Sequence, residues 1–308
     1  MSSGIVLRGL DGSNPLGFLA ALGTFRLATL RWPQKRVSMK WVRENCWRPE
    51  LIGIEESEAN LSGELIQAKM APVKVFSEEL GKNINIEPER FRKFVHRAAN
   101  EVRTGNRSLA DFAAAFGCES CEDEDKGKIE YTALCFITGS GHQDFLGTME
   151  GLSAKVTANH LFQALFGPWR AEKGLSMRWD PEDVAEYALQ WSNPGPEGAS
   201  SIWGANLLAV EALPLFPTQP RKKSLQTTGF LPKQSERDPQ FTWPIWTRQA
   251  SLDTARSLLS LAELQRGDGS IERELLRARG IEEVYRAPRV WIGQGRNRKV
   301  NFRPARAV

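Results

Sequence analysis

Few residues in this 308-residue chain have the types and spacing that chemistry needs. Cys118 and Cys121 form a Cys-x-x-Cys pair, but a structural zinc site needs four ligands. Cys46 and Cys135 stand singly, and His96, His142 and His160 lack zinc-finger spacing. The pair reads as a reduced surface loop, and no metal is expected. His142 lies in Gly139-Ser140-Gly141-His142-Gln143-Asp144, at an expected strand-to-helix turn, where sites often lie. The order is not the Gly-x-Ser-x-Gly nucleophile elbow, and helix capping alone explains polar residues there. Asp11, Asp144 and the acidic run after Gly117 are the carboxylates a metal-dependent nuclease would draw on. Two-metal hydrolysis needs several carboxylates converging on one point, which spacing cannot show. No catalytic residue is assigned.

Nucleic-acid binding draws on other residue types. Trp203-Gly204-Ala205-Asn206 and Leu225-Gln226-Thr227-Thr228-Gly229-Phe230 set an aromatic beside a glycine, which suits a stacking platform for an unpaired base. Arg221, Lys222 and Lys223 lie nearby, and Arg296, Arg298 and Lys299 occupy a glycine-flanked loop. Both basic groups suit backbone phosphates. The bland alternative is tryptophans in cores and basic loops for solubility. Net charge is only +4, but its distribution is uneven. Arg8, Arg26, Arg31, Lys35, Arg36, Lys40, Arg43 and Arg48 crowd the first 48 residues, and no acid occurs from Arg286 to Val308. Acids gather at 50–64 and 119–130. A helix expected over 87–104 carries Arg90, Arg92, Lys93, Arg97 and Arg103 on one face, although most such arrays are solvated faces.

The element that must position these groups is Leu7 to Trp32. Gly4 to Leu7 reads as a strand, and Asp11-Gly12-Ser13-Asn14 as a turn. Asn14 caps a helix with Pro15 at its first position. From Leu16 to Leu30 only Arg26 is charged, so this helix is expected to be buried on several sides. Its start, at Gly12, Ser13 and Asn14, has the form of an anion-binding turn, although capping accounts for the same residues. No P-loop or dinucleotide fingerprint is present, and no cofactor is expected. The apolar run is too short for a membrane span, and the cysteines form no secreted framework. A cytoplasmic protein is expected.

Along the chain, Val37–Val42 alternates as a strand with a partner near 46–51. Helices are expected over 58–80, broken at Pro72, and over 87–104, 109–116, 143–157, 159–166, 177–193, 207–213, 251–264 and 272–279. Strands are expected over 129–138, 284–292 and 300–302. Gly117–Gly127 reads as an acidic linker or loop between lobes at 1–116 and 128–308, unless the two form one continuous domain. The fold class is α+β, helix-rich, with small antiparallel sheets.

Two sets of residues carry a family resemblance. Leu10-Asp11-Gly12-Ser13-Asn14-Pro15-Leu16-Gly17-Phe18-Leu19-Ala20-Ala21-Leu22-Gly23 resembles the opening of several CRISPR-associated proteins of subtype I-G, formerly I-U. Ala188-Leu189-Gln190-Trp191, Trp203 to Ala209, Leu213 to Pro217 and Thr227 to Phe230 are similar to the same group. The resemblance implies a cytoplasmic antiviral protein working with guide RNA, target DNA and other effector subunits. It implies a non-catalytic subunit or accessory to the helicase-nuclease, and it carries over no functional residue. In such complexes base pairing reads the sequence while protein groups hold the backbone. A module that bridges subunits without touching nucleic acid, and a nuclease, remain the alternatives.

Overall fold

A computed structural model describes residues 4–68, 71–123, 125–137, 143–183, 200–221, 224–230, 239–266, 272–292 and 299–308. It is an α+β fold built around the helix expected from the first thirty residues. Strand β1 (Ile5–Val6) leads through the Asp11–Asn14 turn into α1 (Pro15–Arg31). Every side chain of α1 from Pro15 to Ala28 is buried, as an element apolar all round must be. Strands β2 (Ser38–Arg43) and β3 (Trp47–Ile52) follow, and β3 lies between β1 and β2 in an antiparallel sheet. The alternation in β2 buries Met39 and Trp41 and leaves Ser38, Lys40 and Val42 on the less buried face.

A helical layer comes next: α2 (Glu58–Ala68), α3 (Val73–Leu80), α4 (Pro88–Arg103) and α5 (Ser108–Phe116). Phe76, Phe94, Phe112 and Phe116 meet ring to ring and weld α3, α4 and α5 together. The segment read as a linker is a strand, β4 (Gly117–Asp123), paired with β5 (Lys128–Tyr131). Two of its acids are compensated: Glu119 meets Arg92 of α4 at 3.4 Å, and Asp123 meets Lys126. The expected strand over 129–138 pairs only as far as Tyr131. Beyond it the buried chain satisfies its backbone through side chains. Trp179 Nε1 donates to Leu134 O and Arg289 Nη2 to Cys135 O.

Helices α6 (Phe145–Lys155) and α7 (Ala158–Leu165) precede a two-stranded pair, β6 (Glu172–Lys173) and β7 (Ser200–Ser201). The expected helix over 177–193 lies mostly outside the described residues. Helix α8 (Trp203–Ala212), buried from Gly204 onward, runs against α1. Gly23 makes this crossing close: a Cβ there would lie 1.7 Å from Leu208 O. Pro214 ends α8 in a short 3-10 turn, and a hairpin of β8 (Thr218–Arg221) and β9 (Ser224–Thr227) follows.

The last sheet is β10 (Gln240–Trp246), β11 (Ile281–Ile292) and β12 (Lys299–Phe302) in that order, with β13 (Arg306–Ala307) also on β11. Helices α9 (Leu252–Leu259) and α10 (Arg273–Ala278) sit between β10 and β11 in the chain. Strand β10 was not expected from the sequence. It is an edge strand, where Pro244 and its missing N–H are tolerated. The two halves of the chain share one core. Phe18 stacks on Trp41 at 5.7 Å and on Trp243 at 5.5 Å. Trp243 Nε1 donates to Gly12 O, and Trp246 Nε1 donates to Met39 O.

Candidate nucleic-acid interface

Most cations in the first half face an acid. The acidic stretch at 50–64 meets the basic N-terminal region: Arg8 pairs with Glu58 at 3.1 Å, Arg31 with Glu64 at 2.7 Å and Lys40 with Glu50 at 3.1 Å. On α4, Lys93 pairs with Glu89, Arg92 with Glu119, and Arg97 with both Glu79 and Glu101. The charged face of α4 is therefore largely compensated. Lys35 and Arg36 differ. They lie in the turn between α1 and β2, and among the described residues no carboxylate pairs with either. Lys35 Nζ lies 5.5 Å from the Trp32 ring centroid, a cation–π contact that leaves its charge uncompensated.

These two side chains help line a pocket of about 810 Å³. Arg26 from α1, Arg107 at the start of α5 and Arg256 from α9 complete its cationic wall. Asp111 and Asp253 are the carboxylates on the wall. Each is engaged, Asp111 with Arg107 at 3.5 Å and Asp253 with Arg256 at 3.0 Å. Behind the wall, Arg26 Nη1 meets Glu211 Oε2 of α8 at 3.1 Å, both residues being fully buried. Burial pulls Arg26 below the usual guanidinium value, with Glu211 opposing that shift; arginine keeps its charge in proteins regardless. With the three arginines matched to three carboxylates, the surplus positive charge of the pocket comes from Lys35 and Arg36.

Local sequence places these groups. The α1 helix stops where Pro33 approaches, so Lys35 and Arg36 fall in the turn. Asn106 Oδ1 accepts from Ser108 N, which starts α5 beside the pocket. Ser251 Oγ accepts from Thr254 N and caps α9 on the same wall. Exposed hydrocarbon adjoins the cations at Leu30, 43% exposed, above the buried Val37 and Leu252. The pocket thus presents surplus positive charge next to exposed hydrocarbon, at the volume of a small-molecule site.

The residues singled out from sequence have mixed fates. Arg221 is exposed at the end of β8, and Lys299 is exposed at the start of β12. They sit in different sheets, and Lys222, Lys223, Arg296 and Arg298 lie outside the described residues, as does His142. Lys299 lies by Arg178, and its ammonium is held below the usual lysine range by partial burial first and by that like charge second. Phe230 is not a stacking surface. It is 2% exposed and packed against Phe241 and Phe302, because a large apolar ring gains more from the core than from water. Trp203 is half-buried, with Lys155 Nζ 5.6 Å from its ring centroid and the His160 ring at 5.8 Å.

The turn at Gly12, Ser13 and Asn14 is a cap and not an anion site. Gly12 N donates to Trp47 O at 2.8 Å, Ser13 N to Asp11 Oδ1 at 2.8 Å and Asn14 N to Asp11 O at 3.1 Å. Leu16 N and Gly17 N donate to Asn14 Oδ1. The amides an anion would need are occupied, and the Asp11 carboxylate would repel it. The acids weighed for metal chemistry are similarly engaged. Asp11 accepts from Ser13, and Asp144 Oδ1 accepts from Asn83 Nδ2 at 2.7 Å. Among the described residues no three His, Cys, Asp or Glu side chains gather in a way that could hold a metal ion. Cys118 Sγ instead lies 3.0 Å from Ser120 Oγ, and Cys121 is buried.

Lys35, Arg36 and Arg26 belong to the basic excess visible in the first 48 residues. Their convergence with Arg107 and Arg256, from distant parts of the chain, had no sequence signal. No helix among the described residues is long and apolar enough to cross a membrane. Compared with known proteins, the chain matches no family model and no curated protein.

Proposed function

We propose that this chain is a non-catalytic subunit or accessory protein of a guide-RNA-directed CRISPR effector, and that it contacts nucleic-acid backbone. The observation that carries the contact is the pocket's surplus charge, in which Lys35 and Arg36 stand without carboxylate partners while their basic neighbours are paired. Uncompensated Lys and Arg side chains attract phosphates by releasing counterions, with little regard to sequence. Exposed Arg221 and Lys299 would add further backbone contacts. The effector assignment rests on the resemblance to subtype I-G proteins. Of the residues carrying that resemblance, Leu10 to Gly23, Trp203 to Ala209, Leu213 to Pro217 and Thr227 to Phe230 form the α1–α8 core and its flanking turns, while 188–191 lie outside the described residues; they leave the binding role to the charges.

The test is binding of the purified chain to single-stranded RNA, single-stranded DNA and duplex DNA across a salt series. Affinity should fall linearly in log salt, with a slope of roughly −0.7 per phosphate contacted on a single strand. Absence of binding to all three at low salt would remove this reading and favour a protein-bridging module.

A further inference from the structure

We infer that the pocket between α1, α5 and α9 receives one nucleotide unit of a single strand, an inference that rests on the nucleic-acid reading above. Two features narrow the ligand beyond a generic polyanion. The first is size. At about 810 Å³ the pocket falls within the range of sites that enclose a small molecule, roughly 300–1,000 Å³. A duplex, with its bases stacked inside, has no single unit to offer such a space. The second is the pairing of chemistries. Lys35 and Arg36 supply charge for a phosphate, while Leu30 is left 43% exposed on the same wall. Exposed hydrocarbon beside cations serves inorganic phosphate poorly and suits a ribose or base face well. Gln249, exposed on the same wall, carries an amide that both donates and accepts, as a base edge requires.

The same chemistry could come from a nucleotide within a strand or from a free mononucleotide, and the experiment separates them. Anisotropy of a labelled 12-residue uridine RNA is measured against the full chain, with a 12-base-pair duplex as comparison. UMP and inorganic phosphate serve as competitors. The variants are Lys35→Ala/Arg36→Ala, Leu30→Glu at the exposed leucine, and Lys74→Ala, on α3 and outside the pocket, as a control. The single strand should bind more tightly than the duplex. The double variant should weaken strand binding and reduce the salt slope by about 1.4, two phosphate contacts on a single strand. Leu30→Glu should weaken it about tenfold or more by placing a carboxylate against the ligand, while Lys74→Ala retains the affinity. UMP should compete better than inorganic phosphate.

Strand binding that both pocket variants leave intact would overturn the pocket assignment and leave the nucleic-acid reading standing. Equal competition by UMP and inorganic phosphate would overturn the nucleotide part. If no strand binds but UMP does, and Leu30→Glu abolishes that, the backbone reading falls and the pocket stands as a free-nucleotide site.

Discussion

Two buried polar links show how single residues hold this molecule together. Asn14 caps α1 with its carbonyl and, through Nδ2, donates to Asp180 Oδ1 at 3.0 Å. Burial raises the Asp180 carboxyl above the usual aspartate range, with the Asn14 hydrogen bond opposing the rise. A carboxyl whose folded value is raised destabilises the fold when ionised, so its penalty is present above the folded value and fades as pH falls through it. Asn14→Ala removes the cap and a side-chain donor to that carboxyl, for a loss of about 2 kcal/mol at about pH 7. The loss should shrink in urea titrations as pH is lowered and Asp180 binds its proton. The second link is Arg26 with Glu211, whose other oxygen accepts from Ala71 N at 3.0 Å. Glu211→Gln leaves a buried guanidinium without its countercharge and should cost about 3–5 kcal/mol. Arg26→Met combined with Glu211→Gln should cost less than the sum of the two single changes, a coupling that a double-mutant cycle of denaturant unfolding measures.

Between elements, backbone proximity sets the tolerances. Gly23 lies where α1 crosses α8, and a methyl there would meet Leu208 O at 1.7 Å and Leu208 C at 2.7 Å. Both are backbone atoms and cannot swing aside. Gly23→Ala should therefore reach or exceed the upper end of the usual overpacking cost, about 3 kcal/mol. Gly63, inside α2, has nothing within 4 Å of an added Cβ, and Gly63→Ala should stabilise by about 0.5–1 kcal/mol through helix propensity. Thermal unfolding of the two variants should move in opposite directions. The same elements show what a sequence reveals. The first helix, its cap and the β2–β3 pair were legible because periodicity, Asn-Pro and strand alternation all agreed there. Strand β10 was hidden by Pro244, which reads as a strand breaker until the strand is known to lie at an edge. Strand β4 was hidden by its acids, since the partners that compensate them, such as Arg92, lie on another element. The pocket was the least legible part of the site. Its surplus cations were visible as a charge excess, but which ones would keep that charge depended on ion pairs made across the fold. Phe230 misled for a related reason, because an aromatic beside a glycine looks the same in sequence whether it faces solvent or, as here, the core.

At the scale of the whole molecule, the contacts across residues 117–127 decide whether the chain is two lobes or one. Helix α1 is apolar all round and its longest shared face is with α8. Gly9 N donates to Leu165 O at 2.7 Å, Met39 and Ala250 exchange both backbone hydrogen bonds, and Thr218 Oγ1 donates to Ala114 O at 2.8 Å. Separating the halves would expose α1, the Trp41 face of β2, all of α8 and the Trp243–Trp246 face of β10 together. Contiguous apolar surface of that kind drives association or aggregation. Residues 1–116 and 128–308 expressed separately should therefore lack cooperative unfolding and dispersed amide spectra. Co-expressed, they should copurify and recover the far-ultraviolet circular dichroism of the intact chain. The intact chain, in turn, should show coincident urea transitions by tryptophan fluorescence and circular dichroism, the mark of one cooperative unit. A sharp melting transition from 1–116 alone would make it an autonomous lobe. The Arg26–Glu211 link, which ties the pocket wall to the second half, would then be an interdomain contact that a partner could loosen.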